Sequence, residues 1–192
     1  METLNRKTSW NALDRFLSQW RSKFVLPYLN KESVVCDIGC GQEGKILVSV
    51  SDRIKEGYGF DFNLRSDIHL KKNIFLSKKD FLQCEKKFDV IILLAVLEHL
   101  PYPQSVDRML EGIFERLNDG GVFIMTTPDK GAQRLLEFLA YKLHIINEEE
   151  IRDHKHYFDK RELLEFMNKT GFHTIQHKHF QFGLNNLVIC RK

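Results

Sequence analysis

Apolar residues recur at three- and four-residue steps through the first part of the chain, at Trp10, Leu13, Phe16, Leu17, Trp20 and Phe24. This spacing predicts a helical segment over residues 1–30, interrupted near its end by Pro27. The period then changes. Ser33 to Ile38 is a short, β-branched, mostly apolar run, as expected of a strand buried on both faces. A glycine-rich turn follows, and Lys45 to Val50 reads as the start of a helix. Glu56 to Phe62 and Asn73 to Leu76 read as the second and third strands, and Phe88 to Leu94 (FDVIILL) is the clearest strand. Val106 to Leu117 predicts a helix with Val106, Met109, Leu110, Ile113, Phe114 and Leu117 on its apolar face. Asn118 to Gly121 reads as a turn and Val122 to Thr126 as the next strand. A helix over Gly131 to Asn147, an acidic loop containing histidines, and a helix over Lys160 to Thr170 follow. Gly171 closes the last helix as a C-cap glycine. Two strands near Phe172–His179 and Asn186–Cys190 end the pattern.

Strands alternating with helices predict an α/β protein with a parallel sheet and right-handed crossovers. The expected organisation is an N-terminal helical cap over residues 1–30 and one domain over residues 31–192. The cap's two tryptophans are first explained by packing, with cover over a pocket as the alternative. Length is compatible with one domain: 192 residues can bury a core without disulfides. The apolar fraction of 43% and charged fraction of 29% are ordinary for a globular chain. The longest apolar run, Val90 to Leu97, is strand-sized, and the first ten residues lack the apolar centre of a secretory signal. A cytoplasmic protein is expected. Cys36, Cys40, Cys84 and Cys190 form no C-x-x-C pair and have no zinc-finger spacing to histidine, so reduced, isolated thiols are expected. The net charge of +3 is too small to argue for nucleic acid. The lysine pairs Lys71-Lys72, Lys78-Lys79 and Lys86-Lys87 flank apolar segments, which favours solvation of the sheet rim over a phosphate-binding stripe.

Chemistry concentrates in Val34 to Gly44 (VVCDIGCGQEG). A strand runs directly into closely spaced glycines and then a helix, which lets a ligand lie against bare backbone. Glycine spacing alone is weak, since several nucleotide folds share it. Asp37 narrows it: a carboxylate two residues before the first glycine would repel a pyrophosphate but suits an ammonium or sulfonium. Asp61, twenty residues beyond Gly41, stands where an acidic side chain accepts from ribose hydroxyls. A ribose joined to a positively charged amino acid describes S-adenosylmethionine.

With these motifs the chain resembles the class I S-adenosylmethionine-dependent methyltransferases over about residues 30–192. VVCDIGCGQEG, YGFDFN (Tyr58 to Asn63), SKKDF (Ser77 to Phe81), FDVIILLAVLEHL (Phe88 to Leu100) and LNDGGVFIMTTP (Leu117 to Pro128) carry the resemblance. Within that class it looks most like small-molecule methyltransferases with L-E-H-L after the fourth strand. The resemblance implies a Rossmann-like, doubly wound seven-stranded sheet of order 3-2-1-4-5-7-6 with strand 7 antiparallel. It implies that Gly39, Cys40 and Gly41 pass under the methionine portion and that Asp37 organises its amino group. Asp61 would hold the ribose, Phe62 would pack on the adenine, and Asp80 would accept from the adenine amino group with Phe81 beside it. Leu94 and Ala95 would meet the methionine end. Where the family has G-x-G-x-G, Gln42 and Glu43 here delay the third glycine, which puts Gly44 in doubt as a contact.

His99 is the main catalytic candidate, with an imidazole suited to taking a proton from a hydroxyl acceptor. The bland alternative is that Glu98 and His99 only shape the loop before Pro101. His154 and His156 are second candidates in a lid expected over residues 131–157. Leu135, Leu136, Phe138, Leu139, Tyr141 and Leu143 in that lid are explained first by core packing. A pocket wall or an interface is the other account. A metal held by Glu98, His99, His154 and His156 would need convergence across the fold, so none is expected. Leu94-Ala95-Val96-Leu97 stands where relatives that methylate exocyclic amines of bases and some protein amides carry N-P-P-Y, which argues against such acceptors; a small-molecule acceptor is expected, first at oxygen, with carbon and nitrogen open. The transfer needs no obvious catalytic residue, since alignment alone can supply about 7–11 kcal/mol. Two rivals remain: a nicotinamide-dependent oxidoreductase built on Gly39, Gly41 and Gly44, and a non-catalytic module that keeps the pocket.

Overall fold

The computed structural model describes residues 20–21, 23–143 and 148–192. Trp10, Leu13, Phe16 and Leu17 of the expected cap lie outside them. The described end of that segment packs inward, with Val25 buried and the Trp20 and Phe24 rings edge-on to Phe180 at 6.4 and 5.0 Å.

Eight strands form one sheet: β1 (Val34–Ile38), β2 (Glu56–Phe60), β3 (Ile68–Lys71), β4 (Ile74–Ser77), β5 (Phe88–Leu94), β6 (Leu117–Pro128), β7 (His173–Phe180) and β8 (Asn185–Arg191). Their order is β3-β4-β2-β1-β5-β6-β8-β7. The expected seven strands stand in the expected order, and β8 is antiparallel to both its neighbours. The eighth strand, β3, corrects the count. It pairs antiparallel with β4 at the sheet edge. Its side chains are largely exposed, so it lacks the apolar alternation by which a strand is recognised.

The period-2 geometry of strands puts alternate residues into two cores. Ile91 and Leu93 of β5 join Cys36, Ile38, Phe123 and Met125 under α2 (Gln104–Arg116) and α5 (Lys160–Thr170). Val90 and Ile92 join Val35, Val122 and Ile124 under α1 (Lys45–Val50). This two-sided burial is why FDVIILL reads as a continuous apolar run. The expected turn at Asn118–Gly121 is instead a bulge within β6, where the register shifts against β5 between Phe88 and Val90. Asp89 holds it: one carboxylate oxygen accepts from the Asn118 side chain at 2.7 Å and the other from the Val34 amide at 2.8 Å. The α5 helix starts with a reciprocal cap between Asp159 and Glu162 and ends on Gly171 at φ +102°.

The expected helix over 131–147 is shorter. A single 3-10 turn, Lys130–Ala132, leads into α3 (Gln133–Tyr141), and α4 (Glu148–Arg152) follows the undescribed residues 144–147. Leu135, Phe138, Tyr141 and Leu143 are exposed, so core packing does not account for them. Among the described residues no helix is long and apolar enough to cross a membrane.

Candidate active site

Chain direction through the sheet reverses at β1. It pairs in parallel with β2 on one side and β5 on the other, so the crevice beyond their carboxyl ends is the switch point where α/β sheets bind ligands. The loop after β1 is fastened to the end of β2 by backbone groups. Gly39 N–H donates to the Phe60 carbonyl at 2.7 Å, and Gly41 N–H to Asp61 Oδ2 at 2.8 Å. The other Asp61 oxygen accepts from the Asn63 amide at 2.8 Å. Each carboxylate oxygen has two acceptor sites, so Asp61 can shape the loop and still accept from a ligand hydroxyl.

Gly39 and Gly41 sit at φ +76° and +69°, where a side chain is strained. A Cβ on Gly39 would lie 2.3 Å from Val96, whereas one on Gly41 would meet open space. Gly44 does different work. It is buried at the N-cap of α1, and a Cβ there would lie 2.9 Å from Leu76, so it packs helix against sheet. Cys40 packs on Gly59, and burial pushes its thiol up.

Asp37 is 2% exposed, and its Oδ2 has no hydrogen-bond partner. Burial, with Asp61 nearby, pushes its carboxyl up to about 7. An isolated carboxylate in such a place is costly, and a cation supplies the missing partner. Phe62 is 66% exposed at the same rim. Asp80 caps the 3-10 turn Phe81–Gln83, with Oδ1 accepting from the Leu82 amide at 2.9 Å. The Phe81 ring lies in the core, edge-on to Phe60 at 5.7 Å and beneath Arg116, so it packs there and not beside a ligand.

The other side of the crevice begins at Leu94. Ala95 adopts φ +56°, a left-handed conformation uncommon for alanine, and its N–H donates to the Thr126 carbonyl at 2.9 Å. The 3-10 turn Leu97–His99 follows. Residues 153–158 close over it. The Lys155 amide donates to the Glu98 carbonyl at 2.7 Å, and the Phe158 carbonyl accepts from Lys130 N–H at 3.1 Å and the Asn186 side chain at 3.0 Å.

This docking sets His99 Nδ1 3.0 Å from Asp153 Oδ2 and the His99 and His154 rings 4.9 Å apart, centroid to centroid. Glu98 is 1% exposed, and its Oε2 has no partner. Burial pushes its carboxyl up, against the pull of its own amide, His99 and Thr127. His154 is drawn down to about 4 by burial and by His99, and its Nδ1 is buried without a partner. His156 points elsewhere: its ring stacks on Tyr102 at 3.9 Å and its Nε2 meets Glu162 at 3.1 Å.

A family model for the methyltransferase domain matches residues 9–177. The chain belongs to the class I S-adenosylmethionine-dependent methyltransferases. The sequence is 32% identical over 141 residues to the tRNA U34 carboxymethyltransferase of Nautilia profundicola, covering 64% of this chain and 45% of that protein. The chain therefore spans less than half the length of that relative. A methyltransferase from Archaeoglobus fulgidus shares the fold, at TM-score 0.71 and 17% identity over 93% of this chain and 94% of that one. The N-methyltransferase NodS from Bradyrhizobium japonicum, solved with S-adenosylhomocysteine, does so at TM-score 0.65 and 13% identity, covering 96% and 89%.

In this methyltransferase, Asp37, Gly39, Gly41, Asp61 and Phe62 share one crevice rim. Glu98 and His99 stand on its β5 side. Sequence reasoning left Asp153 and Tyr157 unassigned, although Tyr157 is buried with an unpartnered hydroxyl that burial raises to about 12. Histidines at 154 and 156 were the visible signal. Their destinations differ by contact: the His154 ring meets His99, whereas His156 stacks on Tyr102 and reaches Glu162.

Proposed function

We propose that the chain transfers a methyl group from S-adenosylmethionine to the hydroxyl of a small-molecule acceptor. The observation that carries this reading is the unpartnered, buried Asp37 carboxylate above a glycine loop fastened to Asp61. When bound, the cofactor supplies an electrophilic methyl group on a sulfonium. Asp37 faces its ammonium, the open face of Gly41 beside Gly39 leaves room for its methionine portion, and Asp61 accepts from its ribose. Phe62 covers the adenine, and Asp80 offers the acceptor capacity that its capping bond leaves over. Leu94 and Ala95 bound the methionine end.

On the acceptor side, the described residues 131–143 and 148–157 act as a lid whose exposed Leu135, Phe138, Tyr141 and Leu143 wall the entrance. His99 is held by Asp153, which leaves its Nε2 lone pair for the acceptor's proton. A neutral run, Leu94-Ala95-Val96-Leu97, in place of an amine-binding motif supports an oxygen acceptor. Four free thiols fit a reducing, cytoplasmic setting.

A tRNA acceptor is the second reading, favoured by the Nautilia profundicola relative. Against it, three of the six lysines that could form a phosphate stripe are engaged locally. Lys71 donates to Ser51, Lys86 pairs with Glu56 at 2.8 Å, and Lys87 donates to the Glu115 carbonyl. The two readings separate in one assay with methyl-labelled cofactor and a cell extract. Label in the acid-soluble fraction supports the small molecule. Label in RNA overturns it and establishes the second reading.

A further inference from the structure

We infer that Glu98, His99 and His154 form a binding site for a divalent first-row transition metal at the acceptor end of the crevice. One ligand atom from each residue lies within 4.8 Å of the other two. Around a cation with bonds of about 2.0–2.2 Å, tetrahedral ligand atoms stand about 3.3–3.6 Å apart. Small side-chain rotations therefore close the set.

Three further observations point to a cation. Glu98 is almost fully buried, yet one carboxylate oxygen has no partner. His154 Nδ1 is likewise buried and unpartnered. Buried polar atoms normally have partners, and a cation would supply one to both Glu98 Oε2 and His154 Nδ1 in its acceptor tautomer, beside the positive charge of Arg21. Finally, Asp153 accepts from His99 Nδ1 at 3.0 Å. That bond fixes the tautomer with a free lone pair on Nε2, the arrangement by which a carboxylate orients a metal-binding imidazole.

Two imidazoles and one carboxylate suit manganese, iron, cobalt, nickel or zinc better than magnesium or calcium, which favour all-oxygen sites. Three protein ligands leave positions open for water or an acceptor oxygen. The inference thus rests on the proposed transfer for its role, not for its existence. With metal bound, His99 Nε2 would be a ligand in place of the base role given above, and the cation would supply the acidification of a bound hydroxyl.

The test is a titration of tag-free protein with cobalt(II) alone, followed by visible absorption. S-adenosylhomocysteine calorimetry on the same samples reports the cofactor site. Wild-type protein is expected to bind one equivalent saturably, with d–d bands of a nitrogen and oxygen site. His154→Gln and Glu98→Gln should each weaken binding at least about 10-fold, and Asp153→Asn by about 10- to 100-fold. All three should keep their affinity for S-adenosylhomocysteine. Should buried Glu98→Gln misfold, the half-buried His154→Gln carries the test. Absence of saturable cobalt binding, or equal binding by wild type and His154→Gln, would overturn the site. Cobalt binding without S-adenosylhomocysteine binding would uphold the metal site and sink the cofactor reading.

Discussion

The two walls of the crevice, the proposed cofactor wall and the proposed acceptor wall, are built differently. The cofactor wall comes from segments near in sequence, with Gly41 and Asp61 separated by 20 residues and joined by a backbone-to-carboxylate bond. Adjacent parallel strands place it, so its geometry follows from the β1–β2 register. The acceptor wall joins His99 to Asp153 across 54 residues through exposed or half-buried side chains. It depends on the docking of residues 153–158 onto Glu98 and β8. A wall built on the sheet should tolerate change poorly but respond locally. A wall assembled by docking should lose acceptor chemistry while the cofactor still binds.

The largest effect should come from Asp61→Ala, which removes the tie to both the Gly41 and Asn63 amides as well as the ribose acceptor. Charged hydrogen bonds contribute about 1.5–3 kcal/mol each, so S-adenosylhomocysteine affinity should fall at least about 100-fold by calorimetry. Unchanged affinity would break the distinction between the walls.

Asp37→Asn should weaken S-adenosylhomocysteine binding about 10-fold or more, yet stabilise the empty protein. Because the folded carboxyl is raised to about 7 from 3.8, the folded state holds its proton longer than the unfolded chain. Asp37 thus favours folding at low pH and loses that contribution as pH rises from about 4 through 7. Thermal melts should show wild type losing stability over that window, with the Asn variant more stable at pH 8. A ligand ammonium reverses the shift, so binding at pH 6 should release protons, measurable by calorimetry in buffers of different ionisation enthalpy.

Asp153→Asn tests the other wall. It should lower turnover about 10-fold and leave S-adenosylhomocysteine affinity within twofold. An equal loss in both would mean that the walls act as one unit. Phe62→Ala, at an exposed ring, should cost only about 0.5–1.5 kcal/mol of binding and leave the melting temperature unchanged.

Helix α5 and strand β5 were legible because their periods, caps and burial are local properties. The glycine loop and Asp61 were legible because turn chemistry and a strand end fix their places. Gly44 was the instructive residue. Its delayed spacing put it in doubt as a ligand contact, and its surroundings are Leu76 and Leu70, which only the packed sheet brings near. Phe81 likewise belongs to a ligand motif by position and to the core by contact. The exposed edge strand β3 and the β6 bulge escaped because neither carries an apolar rhythm.

The sequence by itself determined the strands and helices around β1 and the glycine loop between them, while the strand order was implied by the family resemblance. Alternating burial and glycine conformation act within a few residues of where they are written. Only the tertiary structure decided that His154 meets Glu98 and His99 while His156 turns away to Tyr102. That choice depends on hydrogen bonds from the Lys155 backbone amide to the Glu98 carbonyl and from the Asn186 side chain to the Phe158 carbonyl, between segments whose separation no local pattern encodes.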